Sequence, residues 1–176
     1  MAEKPTHFGR AGEFFAMSEL LLRGWNVAVP VVDVGDDVFV IDDNDKTTYR
    51  VQVKSATSDT SQCVFKLSRK QLRTAQAIEL FYLLLIRDGA RWRFLALPRE
   101  QLMEIRDAYE SDDRERSPGR PPVKDADAKG DDLSLRVTFE GDSPEGWGRK
   151  LAEYLDTWPD ALPEIGSGPG ARGAVG

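Results

Sequence analysis

The stretch that decides the reading is "TTYRVQVKSAT", Thr47 to Thr57. From Tyr49 to Lys54 its residues alternate, the period-two mark of a β-strand. Tyr49, Val51 and Val53 fall on one side, and Arg50, Gln52 and Lys54 on the other. Just upstream lies an acidic segment, "DVGDDVFVIDD" (Asp33 to Asp43), whose "DVFVI" (Asp37 to Ile41) reads as a partner strand. The polar "DNDK" (Asp43 to Lys46) joins them as a turn. With Asn44 and Asp45 as the turn residues, opposed positions sum to 89. Asp37 then falls opposite Gln52, and Phe39 opposite Arg50. Opposed residues share a face, so Asp37, Gln52 and Lys54 project together. A slip of one residue would exchange the roles of Asp36 and Asp37; Asp37 is the choice here, with Asp36 the open alternative.

That set is chemically useful. Hard divalent cations take oxygen ligands, and Mg²⁺ is commonly held by one or two carboxylates. Asp37 supplies charge, Gln52 a neutral amide oxygen, and the backbone carbonyl of Val53 is adjacent. A protonated Lys54 cannot ligate a metal, but it can orient water or offset negative charge developing on a phosphate. Spacing alone equally suits an ordinary cross-strand contact in which Lys54 neutralises Asp37.

Upstream, Phe8 to Arg23 carries the periodicity of a helix, with Gly24 as its stop. Glu13 lies three, four and seven residues before Ala16, Met17 and Leu20, on the apolar stripe. A carboxylate aimed at a core needs a cation or donors. Placement near the positive end of the helix dipole is the competing reason for it. "WNVAVPV" (Trp25 to Val31) reads as a first strand.

Downstream, "CVFKL" (Cys63 to Leu67) is a short strand, and Ser68 is placed to cap a helix from Arg69 to about Ile78. "LFYLLLIR" (Leu80 to Arg87) is apolar nearly throughout, as a central strand buried on both faces would be. Asp88-Gly89 turns the chain into Trp92 to Pro98, and a helix follows from Arg99 to Tyr109. The charged, Pro- and Gly-rich stretch at 111–132 reads as a flexible loop. Leu133 to Phe139 reads as a strand and Ser143-Pro144 as the start of a last helix running to about Trp158. The expected organisation is a core over residues 1–110, that loop, a C-terminal strand and helix packed on the core over 133–160, and a disordered tail over 161–176.

The 176 residues suit one domain, and 40% hydrophobic content suffices for a core. A formal net charge of −6 argues against a protein that coats nucleic acid by charge alone, but not against a local basic face. The one cysteine, Cys63, allows no internal disulfide and no paired thiols for zinc. No signal-peptide pattern opens the chain, and "LFYLLLI" is far short of the about 20 residues a bilayer needs. A soluble, cytoplasmic protein is expected.

Taken together, "GRAGEFFAMSELLLRGWNVAVP", "DVGDDVFVI" and "YRVQVKSA" resemble the PD-(D/E)xK nuclease superfamily, in particular its resolvase-like and homing-endonuclease-like branches. The resemblance covers about Phe8 to Ala56 in motif and extends to about Leu102 in element order. It implies a restriction-endonuclease-like α/β core, a central mixed β-sheet flanked by helices in αβββαβ order. Asp37 corresponds to the metal-binding aspartate, Gln52 to the second acidic position, Lys54 to the lysine and Glu13 to the helical glutamate. Two departures stand out: no proline immediately precedes Asp37, and an amide replaces the commoner acid at Gln52. The implied activity is Mg²⁺-dependent endonucleolytic cleavage of DNA, with Mn²⁺ as a substitute, by a homodimer or higher homo-oligomer. Arg69, Lys70 and Arg73 would hold backbone phosphate, and Ser55 would touch substrate. The alternative is a module that keeps the fold without the chemistry and binds nucleic acid or a protein partner.

Overall fold

The computed structural model describes residues 5–31, 37–44, 46–58, 61–74, 77–116, 132–163 and 165. A helix, α1 (Pro5–Leu22), leads into strands β1 (Asn26–Ala28), β2 (Val38–Ile41), β3 (Thr48–Thr57) and β4 (Gln62–Ser68). A short helix, α2 (Arg69–Arg73), precedes β5 (Leu80–Asp88) and β6 (Arg91–Pro98). Helix α3 (Arg99–Arg116), β7 (Asp132–Glu140), β8 (Ser143–Gly146), β9 (Arg149–Lys150) and a 3₁₀ turn at Ala152–Tyr154 complete the elements.

The strands form two sheets. The first runs β1-β2-β3-β5-β6, and only its β3–β5 pairing is parallel. The second runs β4-β7-β8-β9 and is antiparallel throughout. The short strand after the hairpin therefore leaves the central sheet and founds another with the C-terminal strand.

β5 explains why both faces of the central sheet can be dry. Phe81, Leu83 and Leu85 pack with Val51 and Val53 of β3 and with Ala16 and Leu20 of α1. Tyr82, Leu84 and Ile86 face the other way, onto Phe65, Leu67, Leu133 and Leu135 of the second sheet and Leu102 of α3. A strand buried on both sides has no place for a polar alternation, hence the continuous apolar run. Each leucine so buried contributes about 1.5–3 kcal/mol.

α1 ends as its sequence predicts. Gly24 takes the left-handed conformation (φ +88°). The Gly24 N–H donates to Leu21 O at 2.9 Å and the Trp25 N–H to Leu20 O at 3.1 Å. This pair of bonds satisfies two carbonyls the helix end would otherwise strand.

The hairpin register is as expected: Val38↔Val51, Phe39↔Arg50, Val40↔Tyr49 and Ile41↔Thr48 all sum to 89. Its turn is longer than the expected pair Asn44-Asp45. The Asp42 N–H donates to Thr47 O and the Lys46 N–H to Asp42 O, both at 2.9 Å, so the strands are joined from Asp42 to Thr47. A two-residue turn and this loop share one midpoint, so the strands pair identically.

Four expectations are corrected. First, α2 stops at Arg73 instead of about Ile78, although Ser68 caps it through Gln71 N at 3.1 Å. Second, α3 runs on to Arg116, into the segment expected to be loop; residues 117–131 lie outside the described part. Third, no helix follows Ser143-Pro144. A two-residue turn at Gly141-Asp142 joins Glu140 to Ser143, and another at Trp147-Gly148 joins Gly146 to Arg149. Trp147 and Gly148 both have positive φ (47° and 69°), the type I′ pattern that makes hairpins. Fourth, the tail does not begin at 161: Leu162 is buried and the Ile165 N–H donates to Arg23 O at 2.7 Å. Residues 166–176 lie outside the described part.

That C-terminal segment closes the edge of β6. Leu155 bridges Leu95, and the Asp156 N–H donates to Phe94 O at 2.8 Å. The Asp156 carboxylate accepts in turn from Phe94 N at 3.1 Å and from Arg93 Nε at 2.8 Å. Trp158 packs on Phe94, and Trp25 Nε1 donates to Pro163 O at 2.9 Å. An otherwise open strand edge is thereby paired and covered.

Candidate active site

Asp37 stands one residue before β2, half-buried, with its N–H donating to Val51 O at 3.1 Å. Its Oδ2 accepts from the Val53 N–H at 2.7 Å and from Gln52 Nε2. The carboxylate thus continues the ladder as an acceptor where β2 no longer pairs. Within a strand the N–H and C=O of one residue point to the same side. The carbonyl of Val53 therefore points to the Asp37 side as well. Asp37, Gln52 and Val53 are brought together as the register predicts.

Gln52 is 3% exposed. A buried amide must satisfy both ends, and this one does: Nε2 donates to Asp37, and Oε1 accepts from Gln71 Nε2 at 3.0 Å. Gln71 Oε1 accepts in turn from the Tyr82 hydroxyl at 3.4 Å. Gln71 and Tyr82 were not foreseen as part of the site. Tyr82 sits beside Gln52 only through the parallel β3–β5 register, a non-local pairing that short-range periodicity does not reveal. Its one signal is a polar hydroxyl inside an otherwise aliphatic strand.

Lys54 shares the face of Gln52 by strand alternation and is half-buried. Glu13 is on the other side of the sheet: α1 packs on the face that carries Val51 and Val53. Its carboxylate is ion-paired with Arg10, one turn earlier on the same helix. The described residues contain no cluster of three or more His, Cys, Asp or Glu side chains. The donor set available to a cation is therefore one carboxylate with a neighbouring carbonyl and an amide. That suits a hard ion which takes few protein ligands and completes its shell with water and phosphate oxygens.

Ser55 does not serve as a substrate contact here. It has the parity of Val53, not of Lys54, and so faces α1. Its Oγ is buried with no hydrogen-bond partner, and a Cβ on Gly12 would lie 1.9 Å from it. Glycine at position 12 is what lets the helix approach β3 so closely. Gly12→Ala is expected to destabilise the fold by about 1–3 kcal/mol through overpacking. Ser55→Ala removes an unpaired buried hydroxyl and should restore much of that loss in the double variant. Urea unfolding of the four proteins in the cycle checks this; additive costs would contradict it.

The expected phosphate-binding arginines are engaged within the protein. Arg73 pairs with Asp107 at 2.8 Å and Glu110 at 3.4 Å, and Arg69 with Glu110 at 3.6 Å. Lys70 is exposed. With only five residues, α2 offers no developed helix-dipole site. Cys63 is buried, and burial pushes its thiol up to about 12, so it stays a protonated core residue.

Residues 4–82 match the family model described as PD-(D/E)XK endonuclease. The PD-(D/E)xK resemblance holds over this stretch. Among solved structures, the chain is similar to a bacterial homing endonuclease, I-Ssp6803I, with 18% identity, 88% of each chain covered and a TM-score of 0.53. At that identity the likeness is one of fold: a mixed central sheet flanked by helices. No curated protein matches the chain. The family match and the fold together support a nuclease. No described helix is long and apolar enough to cross a membrane.

Proposed function

We propose that this protein is a metal-dependent DNA endonuclease whose active centre lies at the Asp37 end of β2 and β3. The observation that carries the reading is the bond from the Val53 N–H to Asp37 Oδ2. It sets a carboxylate and a backbone carbonyl side by side at the point where β3 outruns β2, with Lys54 next along β3 on the face of Gln52. In this reading Asp37 and the Val53 carbonyl hold a Mg²⁺ or Mn²⁺ ion and Gln52 faces it, while Glu13, on the other side of the sheet and paired with Arg10, stays outside the set. When bound, such an ion supplies Lewis acidity toward a phosphodiester. Lys54 supplies a fixed positive charge for the phosphoryl oxygens as negative charge builds on them. Arg69, Lys70 and Arg73 form a basic flank for the DNA backbone, with the acids of α3 holding two of them in place. Cutting both strands of a duplex calls for two such centres, which a homodimer would provide.

The test is incubation of the purified protein with linear, branched and single-stranded DNA, in Mg²⁺, in Mn²⁺ and in EDTA. Cleavage is expected with either ion and not in EDTA, and Lys54→Ala should slow it by about 10²-fold. Intact DNA in every lane from folded protein would instead mean a nuclease fold used for binding alone.

A further inference from the structure

The hydrogen bonds around Asp37 have a direction. The Tyr82 hydroxyl donates to Gln71 Oε1, Gln71 Nε2 donates to Gln52 Oε1, and Gln52 Nε2 donates to Asp37 Oδ2. Each amide is oriented by the one behind it, and the series ends on a carboxylate, which can only accept. The nitrogen of Gln52, not its oxygen, therefore faces Asp37. This is the reverse of what a cation at Asp37 would require of the amide.

The series has a second arrangement with the same internal connections. Turn both amides over, and Gln52 Nε2 donates to Gln71 Oε1 while Gln71 Nε2 donates to the Tyr82 oxygen. The bonds lost are those from Gln52 Nε2 to Asp37 and, at 3.5 Å, to the Val53 carbonyl, and Gln52 Oε1 now meets a carboxylate oxygen. Two oxygens face each other there at a net cost unless a positive ion lies between them. Gln52 is 3% exposed, so water cannot readily take over either end, and its amide has to turn together with that of Gln71.

We infer that Gln71 is a positioning residue for the metal centre: it decides which end of the Gln52 amide is offered to Asp37. Without a cation, the series holds the nitrogen toward the carboxylate and donates to its charge. With a cation, both amides reverse and the Gln52 oxygen becomes available. Cation occupancy and amide orientation are then two readings of one equilibrium, each biasing the other equally. The amide at the position where the superfamily commonly has an acid becomes a two-way element, which a carboxylate cannot be. This rests on the metal-site reading above.

The test is a Mg²⁺ titration of the protein followed by NMR of backbone and glutamine side-chain amides, with no DNA present. The side-chain NH₂ signals of Gln52 and Gln71 are expected to move together and to saturate with the backbone signals of Asp37 and Val53. Gln71→Leu should weaken Mg²⁺ binding by about 10-fold. Gln71→Glu, which can still accept from Gln52 Nε2, should restore it with the thermal midpoint near the parent's. If the Asp37 and Val53 signals move while the Gln71 side chain does not, and Gln71→Leu binds as the parent does, the inference fails and the metal site stands. If no signal near Asp37 responds to Mg²⁺, the metal site fails and the inference falls with it.

Discussion

Asp37→Asn is expected to slow DNA cleavage by about 10³-fold while leaving the fold intact. The substitution keeps size and shape. The asparagine oxygen can still accept from the Val53 N–H and from Gln52 Nε2, the two bonds that tie the residue to β3. What it removes is the one negative charge in the proposed donor set, and a neutral oxygen is a poor anchor for a hard divalent ion. Asp37→Ala would remove the charge and also strand two donors, at a further cost of about 1–3 kcal/mol in stability. Single-turnover cleavage separates chemistry from binding, and thermal melts of both variants separate charge from folding. Cleavage by Asp37→Asn at the parent rate would remove Asp37 from the centre altogether.

Arg106→Ala is expected to cost about 2–5 kcal/mol of stability, mainly through the buried volume it empties, since Glu110 is part-exposed and keeps Arg69 and Arg73 as partners. The arginine is 1% exposed. Its Nε donates to Glu110 at 2.8 Å, and its guanidinium lies 5.0 Å from the Trp147 ring and 5.6 Å from that of Tyr109. Trp147 is fixed to β7 by its Nε1 bond to Ser134 O at 3.0 Å. One side chain therefore joins α3 to the second sheet. Arg106→Met should cost less, because it keeps most of the buried volume between α3 and Trp147.

The acid limb of stability gives a second readout of the same pair. Burial pushes the Glu110 carboxyl up, but the Arg106 hydrogen bond and the charges of Arg106, Arg73 and Arg69 outweigh it and hold the group below its ordinary value. A depressed carboxyl stabilises the fold above the unfolded-state carboxylate range, and that contribution is lost as pH falls through the folded-state value. Urea midpoints measured from pH 6 down to pH 3 should fall less steeply in Arg106→Met than in the parent. Parallel curves would mean that Arg106 acts through packing alone.

The grouping of Asp37, Gln52 and Val53 was legible in the sequence, for a definite reason. Side chains on a strand repeat every two residues, so a hairpin midpoint fixes who faces whom even when the turn type is misjudged. That is why Asp37 fell opposite Gln52 although the loop is longer than a pair. The same parity rule, applied to Ser55, would have sent it to the α1 face; reading it as the neighbour of Lys54 overlooked that. Gln71 and Tyr82 could not be found this way, because their meeting with Gln52 depends on a parallel crossover. Ser143-Pro144 is a strong helix-start signal, yet the residues that follow form a hairpin. The glycines at 141, 146 and 148 are a stronger hairpin signal, and Trp147 beside Gly148 concealed a turn behind a bulky side chain.

The two-sided burial of β5 has a consequence for how the molecule comes apart. Alternate residues of one strand belong to the two separate apolar clusters, one beneath α1 and one beneath the second sheet. Neither cluster can open without loosening the strand that the other depends on. The two layers therefore share a single melting event, and a defect introduced at Gly12 is felt on the side where Gln52 and Lys54 stand.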